Sequence, residues 1–230
     1  NFNFRTWGRV EHFISDYINK ELIRRLTAIG YGSLAMGAES GNQEMLDHLR
    51  KGITTEQIMN SLKTLTGTRI FPRYSFMVGL ENETMDQIKE TYQFCLEMKR
   101  LNSQVDIAGP FNFRLYPGSP IYKRLVAQYS LNVPDSLDSW VTRNKNEVVF
   151  TPMPWTPQPF QKTCRLLSFY SHALGASPQG LRFPLRILYP LYLKLARSRL
   201  ESFFFWFPFE YWAASLLARA NLIKGAGINK

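Results

Sequence analysis

Residues 34–41 read Leu-Ala-Met-Gly-Ala-Glu-Ser-Gly, a short apolar run followed by a carboxylate, a hydroxyl and a glycine. A continuous apolar run of this length, bounded by turn residues, predicts a buried strand, here Leu34–Ala38. A further run, Tyr74–Val78 before Gly79, has the same form, and Val105–Phe113 is predicted as the next strand. Helix-like segments separate the runs, so the sequence predicts right-handed β-α-β units and a parallel sheet.

The segments between these strands carry helix-start signals. Thr54 with Gln57, and Thr84 with Gln87, have the spacing of a capping box, in which two side chains satisfy free backbone N–H groups. Apolar residues then recur at helical spacing. The predicted elements are strands over Phe2–Arg5, Leu34–Ala38, Tyr74–Val78 and Val105–Phe113, and helices over Asp16–Ile29, Gly41–Leu49, Thr54–Leu65 and Thr84–Met98.

Beyond about residue 125 this alternation ends. Pro152, Pro154, Pro157 and Pro159 exclude a regular helix or central strand around them, because proline lacks an N–H donor. The sequence predicts three regions: an α/β unit over 1–125, a Pro-rich irregular connection over 126–160, and a helical, basic and aromatic extension over 161–230. The helices expected at the C-terminal end are Phe160–Leu174, Leu185–Arg199 and Phe209–Ile223.

The composition supports a folded core and places most of the charge at one end. The chain has 230 residues, 45% of them hydrophobic, and a formal net charge of +10. Residues 181–230 hold eight basic and two acidic side chains, a net charge of +6, together with many aromatic rings. We expect this extension either to pack its rings on the main domain or to contact an anionic membrane surface. We expect no nucleic acid partner.

The most apolar window of the chain, Ser202–Ala218, predicts an interfacial or packed segment. It is shorter than the roughly 20 residues that a membrane-spanning helix needs, and it contains Pro208 and Glu210. The two cysteines, Cys95 and Cys164, are too few and too far apart for a disulfide framework, a zinc site or a complete iron–sulfur ligand set. We therefore expect a cytoplasmic protein, with peripheral contact at the cytoplasmic membrane face as the alternative.

Glycines and polar residues follow three consecutive predicted strands. The stretches are Gly37 to Gly41, Gly79 to Thr84, and Arg114 to Pro120. In parallel α/β proteins, ligands bind at the carboxyl ends of the strands, so three such stretches in order indicate a binding site. Taken singly, each stretch is more often a tight turn followed by a helix cap.

The order and spacing of these stretches resemble the second half of a radical S-adenosylmethionine (SAM) core. The similarity is greatest to the enzymes of this superfamily that carry an N-terminal cobalamin-binding domain, such as the anaerobic magnesium-protoporphyrin cyclase and hopanoid-modifying enzymes. The resemblance covers about residues 1–125. It implies an α/β fold, the C-terminal half of a partial (β/α) TIM-like barrel with parallel strands, followed by an α-helical tail. The stretches that carry it are Gly37–Gln43, Arg50–Thr54, Phe76–Leu80 and Arg114–Pro120.

The resemblance also implies roles for the residues at matching positions. Glu39 would accept hydrogen bonds from the ribose hydroxyls of SAM, which suits a carboxylate because it takes two donors at charge-assisted strength. Ser40 would assist from the adjacent turn. Lys51 would face the SAM carboxylate, or is a solvated lysine at a helix end, and Glu83 is expected to be a structural cap. The other implied cofactor-binding residues are Gly37, Ser75, Met77, Gly79, Phe113 and Leu115.

The resemblance implies a 4Fe-4S cluster that reduces SAM to a 5′-deoxyadenosyl radical, yet the cluster motif C-x-x-x-C-x-x-C is missing. The Gly-Gly-Glu-like stretch that holds the SAM amino group is missing too. We expect both to lie in a missing N-terminal half of the parent chain, with a cobalamin-binding domain where the parent uses cobalamin. This piece alone should then be inactive.

Two functions remain open at this point. The first is a fragment of a radical SAM enzyme that methylates, cyclises or otherwise modifies a small-molecule substrate. The second, from a different class, is a basic amphipathic module that binds a membrane surface or a partner, with the α/β part as its scaffold.

Overall fold

The computed structural model describes residues 4–14, 17–146, 153–175 and 185–219 of the chain. The strands are β1 (Phe4–Gly8), β2 (Tyr31–Glu39), β3 (Phe71–Val78) and β4 (Asp106–Asn112). The helices are α1 (Glu11–Ile14), α2 (Lys20–Ala28), α3 (Gln43–His48), α4 (Thr55–Leu65), α5 (Met85–Leu101), α6 (Pro120–Gln128), α7 (Leu137–Asn146), α8 (Gln158–Ser171), α9 (Leu185–Ser202) and α10 (Phe209–Arg219).

The four strands form one parallel sheet in the order β1-β2-β3-β4. This confirms the predicted α/β class with parallel strands and a helical tail. Because every strand runs the same way, all four carboxyl ends lie at one edge of the sheet. Near that edge the strand register shifts twice. β2 has one extra residue relative to β3 between Gly37 and Glu39, and β4 has one extra residue relative to β3 between the partners of Ser75 and Met77.

Local signals set the helix starts. Both predicted capping boxes are present, with the Thr54 and Thr84 hydroxyls accepting from the backbone of Gln57 and Gln87. The first helix differs from its predicted span, Asp16–Ile29. The Asn19 side chain accepts from the Leu22 N–H, so α2 begins at Lys20, and the short helix α1 precedes it.

The sheet buries one face under the helices and leaves the other more open. On β3, Tyr74, Phe76 and Val78 are at most 1% exposed and join the main core, whereas Ser75 and Met77 on the opposite face are half-buried. We call that opposite face the inner face. In the register it continues to β1, where Trp7 lies beside Ala35 and is 78% exposed.

The last helices pack against the α/β unit. Residues Ala196 and Leu200 of α9 are fully buried in the main core, where α9 contacts α5 and α8. The loop after α8 reaches the free edge of β4, where the Ile107 N–H donates to the Leu174 carbonyl at 3.3 Å. The predicted packing on the main domain is therefore realised by one side of the extension.

One predicted region differs in detail from the structure. The connection expected to be irregular over 126–160 contains α7, while residues 147–152 of it lie outside the described part. The last helix begins at Phe209 as predicted, and the described part of it ends at Arg219. No described helix has the length and apolar character needed to cross a membrane.

Candidate functional site

The three strand ends singled out by the sequence lie side by side. Glu39 at the end of β2 pairs with Phe76 of β3, and Val78 of β3 pairs with Asn112 of β4. Gly79 and the stretch that begins at Phe113 therefore emerge at the same edge as Glu39. Had the strands been antiparallel, neighbouring ends would have emerged at opposite edges.

Glu39 and Lys51 form an ion pair beside Gly37 of β2. The Lys51 Nζ lies 2.8 Å from the Glu39 Oε1, and both side chains are about one quarter exposed. A Cβ atom at position 37 would collide with the Glu39 carboxylate and lie 3.3 Å from the Lys51 Nζ. The absence of a side chain at Gly37 therefore makes room for the pair at the strand end.

The backbone on both sides of this pair is unusual. Glu39 itself has φ 71°, a left-handed conformation that is uncommon for a residue with a side chain and is concentrated at functional sites. Lys51 is flanked by Arg50 at φ 52° and Gly52 at φ 71°. The Lys51 N–H donates to the Leu46 carbonyl at 3.0 Å, so the turn that ends α3 carries the ammonium group back to β2.

Ser40 is buried and its hydroxyl serves the protein itself. Its Oγ lies 3.1 Å from the Thr91 Oγ1 of α5 and accepts from the Asn42 N–H at 3.1 Å. The Thr91 hydroxyl also accepts from the Gly41 N–H. These bonds hold the turn after Glu39 against α5. The role of Ser40 in cofactor binding stays a prediction, since the contacts of its hydroxyl in the structure are with the protein.

Ser75 and Met77 lie on the inner face of β3. Ser75 pairs with Gly37 of β2, which places it next to the ion pair. Met77 lies two residues further along β3, on the same face and closer to the strand end. A hydroxyl and a flexible thioether at these positions offer a ligand one polar and one apolar contact. Arg73, on the same face, lies 3.3 Å from Asp106 and extends the polar surface away from the strand ends.

Gly79 is enclosed by its own chain. Its φ of 83° favours glycine, and an added Cβ would lie 2.6 Å from the Asn112 Oδ1. Its N–H donates to the Glu83 Oε2 at 2.5 Å and its carbonyl accepts from the Trp155 Nε1 at 3.1 Å. Gly79 is a predicted cofactor-binding residue, and on its Cβ side the space is filled by Asn112 and Phe160.

Glu83 caps this turn from a buried position. Its Oε2 also accepts from the Leu80 N–H at 3.0 Å, and the residue is 2% exposed. Burial raises the pKa of Glu83 to about 7, and the two backbone bonds oppose that rise. Its other oxygen, Oε1, is buried without a hydrogen-bond partner. The predicted structural cap is present, although its raised pKa had no signal in the sequence.

Phe113 and Leu115 line the start of the loop after β4. The Phe113 N–H donates to the Val78 carbonyl at 2.7 Å, so only its carbonyl could face an adenine edge. Leu115 is buried in a small second cluster with Leu125 and Met153. Trp155 packs on Phe113 and Tyr129, with ring centroids 6.3 and 4.9 Å away, so the Pro-rich segment closes this side of the site.

The cysteines do not resemble cluster ligands. Cys95 and Cys164 are buried, and burial raises the pKa of both thiols, which favours the protonated form over the thiolate that binds iron. Across the described residues, no group of three His, Cys, Asp or Glu side chains could hold a metal ion. The described residues therefore offer no ligand set for an iron–sulfur cluster.

Comparison with known families agrees with this geometry. The family model of the radical SAM superfamily matches residues 6–95, which run from β1 into α5 and include the Glu39–Lys51 pair. This segment of the chain is therefore similar to the radical SAM superfamily. The match ends within α5, so the stretch after β4 and the helical tail lie outside it.

Curated relatives of the chain include an anaerobic magnesium-protoporphyrin IX monomethyl ester cyclase of Cereibacter sphaeroides. It is 28% identical over 119 residues, which are 52% of this chain and 19% of the relative. An uncharacterized methyltransferase of Pyrococcus horikoshii is 26% identical over 109 residues, 47% of this chain and 23% of the relative. The chain thus matches only about a fifth of the length of these relatives.

A solved structure shares the fold. The apo form of the cobalamin-dependent S-adenosylmethionine radical enzyme OxsB superposes with a TM-score of 0.50 at 15% identity, covering 87% of this chain and 34% of that one. At this identity the likeness concerns the fold alone. It agrees with a partial radical SAM TIM-like architecture followed by helices.

Proposed function

We propose that this chain supplies half of the SAM site, and part of the substrate site, of a radical SAM enzyme. The proposal rests chiefly on the Glu39–Lys51 pair, which stands at the carboxyl end of β2 within the matched segment. The neighbouring ends of β3 and β4 emerge at the same edge, so a single ligand can contact all three.

Glu39 is proposed to bind the SAM ribose. Its carboxylate is one quarter exposed, and Lys51 contacts only Oε1 among its two oxygens. A pair of ribose hydroxyls can donate to a carboxylate with charge-assisted strength. The strained backbone at Glu39 and the bare backbone at Gly37 fix where that carboxylate lies.

Lys51 is proposed to face the SAM carboxylate. In the structure its ammonium group neutralises Glu39, which keeps two half-buried charges from being unpaired. A ligand with two hydroxyl groups and a carboxylate can donate to Glu39 and pair with Lys51 at once, so neither charge is left unpaired. The alternative of a solvated lysine is disfavoured by its half-buried contact with Glu39.

The remaining predicted residues surround this pair. Ser75 and Met77 are proposed to line the inner face beside the ligand, and the Phe113 carbonyl and Leu115 to form the adenine side. Ser40 and Gly79 support the site through the backbone, since their own contacts are with the protein.

When bound, SAM and a 4Fe-4S cluster supply the radical chemistry, and this chain supplies position and partial shielding from water. The cluster ligands, and a cobalamin-binding domain where cobalamin is used, are proposed to lie outside the described residues. The exposed Trp7 on β1, at the edge of the sheet, supports a continuation of the barrel there. We propose a small-molecule substrate and radical-based methylation, cyclisation or a related modification.

The proposal is tested by SAM binding to the complete enzyme with its cluster reconstituted. Glu39→Ala should weaken SAM binding about tenfold or more, because a hydrogen bond to a charged group contributes about 1.5–3 kcal/mol. Lys51→Met should weaken binding too, whereas Glu56→Ala, an exposed carboxylate on α4, should leave the dissociation constant unchanged. An unchanged constant for Glu39→Ala, measured by calorimetry, would exclude the proposed role.

A further inference from the structure

Six large apolar side chains around α10 point into solvent. We call them the aromatic face, and their exposed fractions run from 48% at Trp212 to 83% at Trp206. The Phe207 and Trp212 rings are 5.1 Å apart, and the Arg199 guanidinium lies 5.9 Å from the Phe209 ring. The members of the aromatic face are Phe204, Trp206, Phe207, Phe209, Trp212 and Leu216.

The orientation of α10 is the reverse of that of an ordinary surface helix. Its acidic residue, Glu210, turns inward, where it pairs with Arg199 at 2.8 Å and accepts from the Tyr170 hydroxyl at 2.7 Å. The helix presents Phe209, Trp212 and Leu216, at positions i, i+3 and i+7, to solvent instead. Surface helices normally expose their polar stripe, and contiguous exposed apolar side chains mark an interaction site.

The net charge of the segment that carries the aromatic face favours an anionic lipid surface. Glu210 is the one acidic residue between positions 202 and 219, and its carboxylate is only 9% exposed and already paired. Residues 181–230 have a net charge of +6, and Lys194 on α9 is exposed. Tryptophan beside basic residues is typical of segments that lie in the headgroup region of anionic membranes.

We propose that the chain docks on an anionic membrane surface through the aromatic face, with α10 lying along the interface. The Arg199–Glu210 pair holds α10 so that its apolar side faces outward. The aromatic face is separate from the strand ends that carry Glu39, so the membrane proposal does not depend on the proposed SAM site.

Vesicle co-sedimentation of the full chain tests this docking. We expect binding to phosphatidylcholine vesicles that contain about one third phosphatidylglycerol, and much weaker binding to phosphatidylcholine alone. Trp206→Ser combined with Trp212→Ser should reduce binding to the anionic vesicles about tenfold or more, because two interfacial anchors are lost. Trp7→Ser is the control, since Trp7 is 78% exposed, close to the 83% of Trp206, but lies on β1, and it should change binding less than about twofold.

Each remaining result would overturn the proposal. The first is a chain that is folded by circular dichroism and does not bind anionic vesicles. The second is binding that survives unchanged in the double variant, which would place the contact elsewhere. The third is a dimer, detected by sedimentation velocity, that the double variant dissociates while vesicle binding is absent, since a second copy would then cover the aromatic face.

Discussion

The Lys51 ammonium group lies 2.8 Å from the Glu39 carboxylate, above the bare backbone of Gly37. Twelve positions separate the two charged residues, and the short helix α3 lies between them. The turn that ends α3, with left-handed backbone at Arg50 and Gly52, returns the chain to the strand end. Opposite charges are thereby fixed side by side where a ligand would meet the sheet.

Gly37→Ala tests whether the empty space at residue 37 positions this pair. The new Cβ would collide with the Glu39 carboxylate, which can rotate away because it is the end of a flexible side chain. Gly37 is outside the left-handed region, so alanine should be tolerated by the backbone. We expect SAM affinity of the complete enzyme to fall about tenfold or more, as for loss of a charged hydrogen bond. Its melting temperature should stay within a few degrees of the parent value. Unchanged SAM affinity would contradict the prediction.

Gly79→Ala should destabilise the fold more than Gly67→Ala does. Both glycines have positive φ, 83° and 79°, so both substitutions carry the backbone cost of about 1–2 kcal/mol. Only at position 79 does the Cβ meet a neighbour, the Asn112 Oδ1 at 2.6 Å, whereas nothing lies within 4 Å at position 67. Urea unfolding gives the free energy of unfolding of each variant, and the difference between the two variants measures the cost of the Cβ collision apart from the backbone cost. Equal losses of unfolding free energy would contradict the prediction and show that the Asn112 side chain moves aside at little cost.

The raised pKa of Glu83 predicts a specific dependence of stability on pH. Folded Glu83 keeps its proton up to about pH 7, while the unfolded chain releases it near the ordinary value of 4.5. The unfolded state therefore binds fewer protons in this window, so this contribution to stability is complete below about pH 4.5 and is lost as pH rises through 7. The expected loss is about 3 kcal/mol across the window.

Glu83→Gln should remove that part of the pH dependence. Glutamine keeps an oxygen that can accept from the N–H groups of Gly79 and Leu80 but does not titrate. Urea unfolding of parent and variant at several values between pH 5 and pH 8 gives the comparison. The difference between the two proteins isolates Glu83 from other titrating groups, and parallel curves would refute the assignment.

Arg199→Lys should loosen α10. The guanidinium of Arg199 donates to both oxygens of Glu210, at 2.8 and 3.3 Å, and to the Phe207 carbonyl at 2.6 Å. Lysine cannot reproduce this planar set of bonds, so we expect a loss of about 1–3 kcal/mol and faster hydrogen exchange in α10.

Arg100→Lys is the control for that variant. Arg100 pairs with Glu201 at 2.6 Å, but the two side chains are 65% and 46% exposed. An exposed pair contributes little, so this substitution should change the free energy of unfolding by less than about 0.5 kcal/mol. If both arginine variants lost the same stability, burial of the Arg199–Glu210 pair would not be the cause.

The sequence was enough to predict most strands and helices. Apolar runs such as Tyr74–Val78 and capping boxes such as Thr84 with Gln87 act over a few neighbouring residues, so they are readable without a structure. The span of the first helix was predicted less well, because the Asn19 cap and the short helix α1 compete for the same residues. The sequence also predicts Glu39 and Gly79 as binding residues, since parallel strands bring their carboxyl ends to one edge.

The packing of polar groups depended on residues far apart in the chain. The sequence predicts Ser40 as a cofactor-binding residue but does not show that its hydroxyl lies 3.1 Å from the Thr91 Oγ1 of α5. Likewise, the pKa of Glu83 rises because neighbouring elements exclude water from it, which no local pattern records.

By itself the amino-acid sequence determined the order of strands and helices, the residues at the strand ends and the basic, aromatic character of the last fifty positions. The tertiary structure alone decided that Lys51 pairs with Glu39, and that α10 turns Glu210 inward and Trp212 outward. The physical reason is that secondary structure follows short-range periodicity and capping. The partner of a charge and the exposed side of a helix depend instead on which distant segments occupy the space around them.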